Sequence, residues 1–78
     1  ETISSGSLND INRPTVAWVT SGVTNQPGSS GYGVFICAPG KIRFFFDYGA
    51  AGSMPYVYLS IYANNQWYAW KKIATTAV

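Results

Sequence analysis

Few residues in this chain of 78 could do acid–base or metal chemistry. There is no histidine, the only cysteine is Cys37, and the three carboxylates are Glu1, Asp10 and Asp47. A glycosidase-type pair, with carboxylates about 5–9 Å apart, would have to be Asp10 with Asp47, yet nothing in the sequence brings them together and Asp10 suits a turn-capping role. One thiol without imidazole also excludes a multi-thiolate zinc site. We therefore expect no catalytic residue, no metal site and no cofactor.

The aromatic residues suggest a different chemistry, the binding of sugars. Tyr56, Tyr58 and Tyr62 share one side of a predicted strand, and an aromatic ring can stack on a pyranose while a phenol hydroxyl reaches sugar hydroxyls. Polar and aromatic neighbours complete the predicted ligand-binding set: Asn64, Asn65, Gln66, Tyr68, Trp70 and Lys72. The same tyrosine stripe could instead cover a second sheet or a neighbouring protomer, and the sequence leaves both interpretations open.

The alternation of side chains along a strand also predicts where the tryptophans lie. Trp67 and Trp70 stand three residues apart, which places them on opposite faces of a strand unless a bulge intervenes. We expect Trp67 in the core, because Ala69 and Ile73 lie on its side, and Trp70 at the surface or an interface. Trp18 is expected to be buried.

These residues must be positioned by β-strands, because nothing after residue 14 has a helical period. Stretches rich in β-branched and aromatic residues alternate with Gly, Pro, Asn and Ser, and predict strands at 15–20, 32–37, 41–48, 55–62 and 66–73. The connections at 38–40, 49–53 and 63–65 are short enough for hairpins. Leu8–Asn9–Asp10–Ile11 predicts one helical or polar turn. The fold class is all-β, a small antiparallel sheet or sandwich of about five strands.

Alternation also predicts which strand faces are buried. In strand 55–62 the aliphatic side, Val57, Leu59 and Ile61, is the predicted core, and the tyrosines face outward. In strand 41–48 the predicted core is Ile42, Phe44, Phe46 and Tyr48. The opposite side carries Lys41, Arg43 and Asp47, and charge usually marks the solvated face. Strand 32–37 is apolar on both sides, which predicts a central or interface position.

Composition restricts the possible partners. The chain is 47% hydrophobic and 17% aromatic but only 10% charged, which is typical of a folded domain. A net charge of +2 from five scattered cations gives no nucleic-acid footprint, and no apolar run reaches the length of a membrane span. So short a chain buries only about 60% of its unfolded surface, so association with identical chains would help to stabilise it.

Four segments occur in a recognisable order: Leu8–Asn9–Asp10–Ile11, Ala17–Trp18–Val19, Thr24–Asn25–Gln26–Pro27 and the closing stretch from Trp67 through Trp70 to Ile73. In this order they resemble the knob domains at the tips of phage tail fibres, tailspikes and R-type pyocin fibres, over about residues 8–73. The resemblance is incomplete. Where the family usually has a glutamine in the middle strand, this chain has Arg43 followed by Phe44.

The resemblance implies a function at the end of a viral fibre. Residues 8–78 would form a single knob domain, a homotrimer without enzymatic activity, and the Ser/Gly-rich residues 1–7 would be a linker from an upstream fibre or tailspike region. Such a domain would lie in the virion tail and contact bacterial surface polysaccharide during host attachment. The alternative is a structural module that registers and locks three chains without binding a ligand.

Overall fold

The fold is all-β, as expected. The computed structural model describes residues 1–28, 31–48 and 56–73. In these ranges a 3₁₀ turn at Leu8–Asp10 accompanies the strands β1 (Thr2–Ile3), β2 (Thr15–Val19), β3 (Gly33–Ala38), β4 (Ile42–Asp47), β5 (Tyr56–Ala63), β6 (Gln66–Trp67) and β7 (Lys71–Ile73). Across the same ranges, no helix is long and apolar enough to span a membrane.

The strands form one mixed sheet rather than an antiparallel sandwich. Its order is β1-β2-β3-β4-β5-β6, and β7 also pairs with β5. Pairing is antiparallel from β2 onward, as the short connections predict, but β1 pairs with β2 in parallel. This first strand falls in residues 1–7, the predicted linker, and is joined to β2 by hydrogen bonds from Trp18 N to Glu1 O (2.8 Å) and from Thr20 N to Ile3 O (3.1 Å).

Local sequence explains two of the turns. Between β5 and β6, Asn64 and Asn65 have φ values of 54° and 63°. Asparagine tolerates this left-handed region, and two such residues in succession suit a tight hairpin. The 3₁₀ turn occupies the predicted position, but its cap is the Ser7 hydroxyl, which accepts from Asn9 N, rather than Asp10. The predicted connection 49–53 lies outside the described residues.

The pairing register gives the sheet two distinct faces. The inner face carries the residues buried in the sheet: Thr15, Ala17, Val19, Gly33, Phe35, Cys37, Arg43, Phe45, Asp47 and Ser60. It is covered by Leu8, Ile11 and Val23 from the loops, with Trp67 and Trp70 packed against the same cluster. The outer face carries Val16, Trp18, Val34, Ile36, Ile42, Phe44, Phe46, Val57, Leu59, Ile61 and Ile73.

The predicted sidedness of strands 41–48 and 55–62 is therefore wrong. Arg43, Phe45 and Asp47, predicted to face solvent, are 2%, 0% and 1% exposed, whereas Ile61 is 48% and Tyr48 is 70% exposed. The reason is that the loops between β1 and β3 cover the face that bears the charges, and aromatic rings surround Arg43 there.

The predicted burial of Trp18 in β2 is also wrong. Trp18, predicted to be buried, is 36% exposed on the outer face, and Val16 beside it is 64% exposed. Cys37 faces inward and is 1% exposed, so it packs as a small buried apolar residue. Burial raises the pKa of its thiol.

The reversed sidedness can be tested by truncating one residue from each face. Because Phe45 is fully buried, we expect Phe45→Ala to lower the free energy of unfolding by about 3–5 kcal/mol, enough to unfold a domain of this size. Ile61→Ala should lower it by less than about 1 kcal/mol. Urea denaturation at low protein concentration measures both, and a larger loss for Ile61→Ala would contradict the assignment of faces.

Candidate functional site

A buried cation lies at the centre of the inner face. Arg43 is the second residue of β4, opposite Cys37 of β3 and Ser60 of β5. Its guanidinium carbon lies 4.3 Å from the ring centroid of Trp67 and 4.1 Å from that of Trp70. These are cation–π distances, and such contacts strengthen when the cation is shielded from water. The negative faces of the rings thus offset part of the cost of burying the charge.

An interruption between β6 and β7 brings both tryptophans to Arg43. Residues 68–70 leave the sheet, although Tyr68 N still donates to Ile61 O at 2.9 Å and Ser60 Oγ donates to Tyr68 O at 2.7 Å. Trp70 Nε1 donates to Asn25 O at 3.0 Å. The predicted continuous strand 66–73 is therefore wrong, and so is the placement of Trp67 and Trp70 on opposite faces. The interruption brings the two indoles to the same face, as a bulge between them would have done.

The two indoles and Arg43 line an open cleft of about 290 Å³. The other lining residues are Asn9 from the 3₁₀ turn, Asn25 and Gln26 from the loop after β2, and Tyr68 and Ala69 from the interruption. Its size is at the lower end of the range for small-molecule sites, about 300–1,000 Å³. Aromatic rings, short amides and one cation therefore meet in a single concave surface.

Three buried polar atoms of these residues have no hydrogen-bond partner in the part of the chain that the structure describes: Gln26 Oε1, Arg43 Nε and Trp67 Nε1. The orientation of the Gln26 amide is fixed, because its Nε2 donates to Thr20 O at 2.7 Å and to Val23 O at 2.9 Å. A buried polar group without a partner costs about 1–3 kcal/mol. A ligand that accepts from the two N–H groups and donates to the amide oxygen would remove that cost.

Burial also changes the proton affinity of the cation. Desolvation lowers the pKa of Arg43 to about 10, and the nearby Cys37 opposes the shift. Arg43 therefore stays charged at neutral pH. Because the folded state binds this proton less tightly than the unfolded chain does, the charge lowers the free energy of unfolding at all pH values below about 10. Desolvation of this charge therefore opposes folding at neutral pH.

The predicted tyrosines lie on the inner face, each packed against another side chain. Tyr58 lies against the buried cluster, and Tyr62 meets the Trp67 ring edge-on at 5.2 Å. Tyr56 lies under Lys72 Nζ, 4.1 Å from its ring centroid. These are contacts within the same chain and the same sheet, so they match neither a second sheet nor a neighbouring protomer as the cover of the tyrosine stripe.

The other predicted site residues separate into two groups. Tyr68 and Trp70 line the cleft, and Asn64 reaches it indirectly, since its Nδ2 donates to Tyr68 Oη at 2.8 Å. Asn65 is exposed in the turn between β5 and β6, and Gln66 is exposed at the start of β6.

The remaining cleft residues were not among the predicted site residues: Asn9, Asn25, Gln26, Arg43, Trp67 and Ala69. The arginine that directly precedes three phenylalanines in β4 was a signal, but its charge was interpreted as marking the solvated face. The amides come from two loops that are distant in sequence from β4, and no local pattern brings them together.

The two aspartates lie in different surroundings. Asp10 is exposed on the 3₁₀ turn, whereas Asp47 is buried at the end of β4. In residues 1–28, 31–48 and 56–73, no three His, Cys, Asp or Glu side chains are close enough to hold a metal ion.

Comparisons of the chain with protein-family models, with curated proteins and with solved structures give no match. The geometry of the cleft and of the outer face must therefore carry the functional argument.

The Arg43–indole contacts can be tested by a change that keeps the charge. Lysine lacks the planar, weakly hydrated guanidinium, so we expect Arg43→Lys to lower the free energy of unfolding by about 2 kcal/mol. Lys72→Met removes an exposed cation from Tyr56 and should cost no more than about 1 kcal/mol. Chemical denaturation of the two variants under identical conditions gives the comparison, and equal losses would refute a special role for the Arg43 contacts.

Proposed function

We propose that this domain is the glycan-binding tip of a phage tail fibre or tailspike and that it contacts bacterial surface polysaccharide. The observation that carries the proposal is the cleft, in which two indoles, a guanidinium and three amide side chains converge. The phage setting comes from the resemblance of the sequence segments to fibre knob domains. It would place the domain in the virion tail, outside the host cell.

The chemistry of the cleft suits a sugar better than an apolar ligand. A pyranose has an apolar C–H face, which packs on aromatic rings, and hydroxyls, which both donate and accept hydrogen bonds. Tyr68 at the mouth of the cleft is 41% exposed and offers a ring, while Gln26 Oε1 offers an acceptor. Arg43 Nε and Trp67 Nε1 offer donors. Both requirements are met within one small volume.

A second candidate function, trimer assembly, rests on a separate observation. The outer face is apolar in every described strand from β2 to β5, and its only charged residue there or on β7 is Lys71. Val16, Ile42 and Ile61 on this face are 64%, 41% and 48% exposed. Large contiguous apolar patches on soluble domains mark interaction surfaces. We propose that copies of this same chain cover the face.

The size of the face is compatible with such an interface. The domain measures 36 × 24 × 17 Å, so one face of its sheet is comparable with the roughly 800 Å² per partner of a stable interface. Trp18 is an available aromatic anchor, since its ring stacks at 6.2 Å from that of Tyr32 and meets that of Tyr48 edge-on at 5.5 Å. The number three comes from the family resemblance alone. Because the cleft lies on the inner side of the sheet, assembly and glycan binding are compatible.

Glycan binding can be tested with two tryptophan variants. Trp70 lines the cleft and Trp18 lies on the outer face, so Trp70→Ala should weaken binding of a monovalent oligosaccharide from host polysaccharide about five- to hundredfold. Trp18→Ala should leave that affinity within about twofold. Calorimetry on variants that keep the wild-type circular dichroism spectrum measures both. Unchanged binding by folded Trp70→Ala, or loss of binding with Trp18→Ala, would place the site elsewhere.

Assembly is tested by placing a charge on the outer face. Native mass spectrometry and light scattering of the unaltered domain should give a homotrimer. Ile42→Lys would bury an unpaired ammonium at the interface and should shift the protein toward monomer at micromolar concentration. Asn12→Lys adds the same charge at an exposed loop residue and should leave the trimer intact. An unaltered domain that is monomeric under these conditions would contradict the assembly proposal.

A further inference from the structure

Among the residues that the structure describes, the cation in the cleft has no carboxylate partner. Arg43 Nη1 donates to Asn9 Oδ1 at 2.8 Å and the two indoles contact its guanidinium, and in the described ranges its side chain forms no ion pair. All of these partners are neutral. Proteins rarely bury an arginine without an anion, because desolvation of the charge is then only partly compensated.

None of the described residues that line the cleft has an acidic side chain that would repel an anion. Its polar residues other than Arg43 are amides, a phenol and indoles. Two donors, Arg43 Nε and Trp67 Nε1, are buried and unpartnered. The net charge of the chain is +2. A ligand oxygen with negative charge would therefore meet a desolvated cation and free N–H groups without electrostatic opposition.

We propose that the ligand of this cleft carries a carboxylate and that Arg43 is the group that binds it. This inference rests on the proposed glycan-binding function, and it narrows the ligand to acidic sugars, such as the uronic or nonulosonic acid residues of bacterial polysaccharides. The carboxylate accepts from the Arg43 guanidinium in a charge-assisted hydrogen bond, and the Trp67 N–H is a second donor in the same cleft. A sugar hydroxyl donates to Gln26 Oε1.

A carboxylate fits these donors better than a phosphate does. One arginine and one indole N–H provide few donors, which suits a planar monoanion with two oxygens. A phosphate group offers three oxygens, commonly carries more than one charge and is usually held by several cations or backbone N–H groups. In the described part of the chain, Arg43 is the only cation among the residues that line the cleft.

The ligand class is tested by paired probes. Short oligogalacturonides and short oligomers of sialic acid are each compared with their carboxyl-reduced forms by calorimetry on the intact domain. We expect at least one acidic probe to bind about tenfold or more tightly than its reduced counterpart. That difference should shrink as sodium chloride is added, since salt screens the charge interaction.

A pair of isosteric variants tests the role of Arg43 without removing it. Asn9→Asp places a carboxylate where Asn9 Oδ1 now accepts from Arg43, so the cation gains an internal partner. We expect this variant to melt at a higher temperature than the unaltered domain and to bind the acidic probe about tenfold more weakly. Asn12→Asp makes the same change of net charge, from +2 to +1, at an exposed residue outside the cleft. It should leave affinity within about twofold.

The outcomes separate this inference from the function on which it rests. Equal binding of the acidic and reduced forms, or equal affinities of the Asn9→Asp and Asn12→Asp variants for the acidic probe, would overturn the carboxylate assignment and leave glycan binding in place. Preference for a phosphorylated oligosaccharide over both acidic probes would overturn it as well. Failure of the domain to bind acidic probes, neutral probes and the host polysaccharide would instead overturn the proposed glycan-binding function.

Discussion

Burial of the Arg43 guanidinium constrains the elements around it. A charged group on the covered side of a sheet needs partners that replace water, and here they are two indole faces and one amide oxygen. A regular strand cannot place Trp67 and Trp70 on the same side, so the chain leaves the sheet between β6 and β7. The interruption in turn places Tyr68 at the mouth of the cleft. One buried charge thus connects the end of the sheet, the loops from the N-terminal half and the candidate binding site.

The sheet also shows how a domain of 78 residues distributes its apolar side chains. The inner face is covered by side chains from the loops, namely Leu8, Ile11 and Val23. The outer face is equally apolar, and several of its side chains remain accessible in the single chain. So small a domain gains little from one core alone, and burial of the second face would add substantially to its stability. The outer face, whose burial would add the most stability, is therefore distinct from the inner face, which holds the cleft.

The sequence predicted the elements better than their faces. Alternating β-branched and aromatic residues located four strands to within about two residues, and short connections correctly predicted antiparallel neighbours. Which side is buried could not be found in this way, because β4 and β5 carry large side chains on both sides and Arg43 looked like a solvent marker. The two-residue strand β1 and the break at residues 68–70 depend on tertiary contacts that leave no local pattern. The cleft was missed for the same reason, since its amides come from loops distant from β4.

The interleaving of the two faces along each strand has a consequence for how this domain can vary. Successive residues of β3 and β4 belong alternately to the inner and outer faces, so a substitution alters one surface and leaves the other in place. Insertion of one residue within either strand would exchange the faces for every residue beyond it, and would move Arg43 or its neighbours out of register. Variants that diversify in the cleft or on the outer face should therefore do so by replacement. Changes in length belong in connections such as the segment between β2 and β3, where Asn25 and Gln26 already form one wall of the cleft.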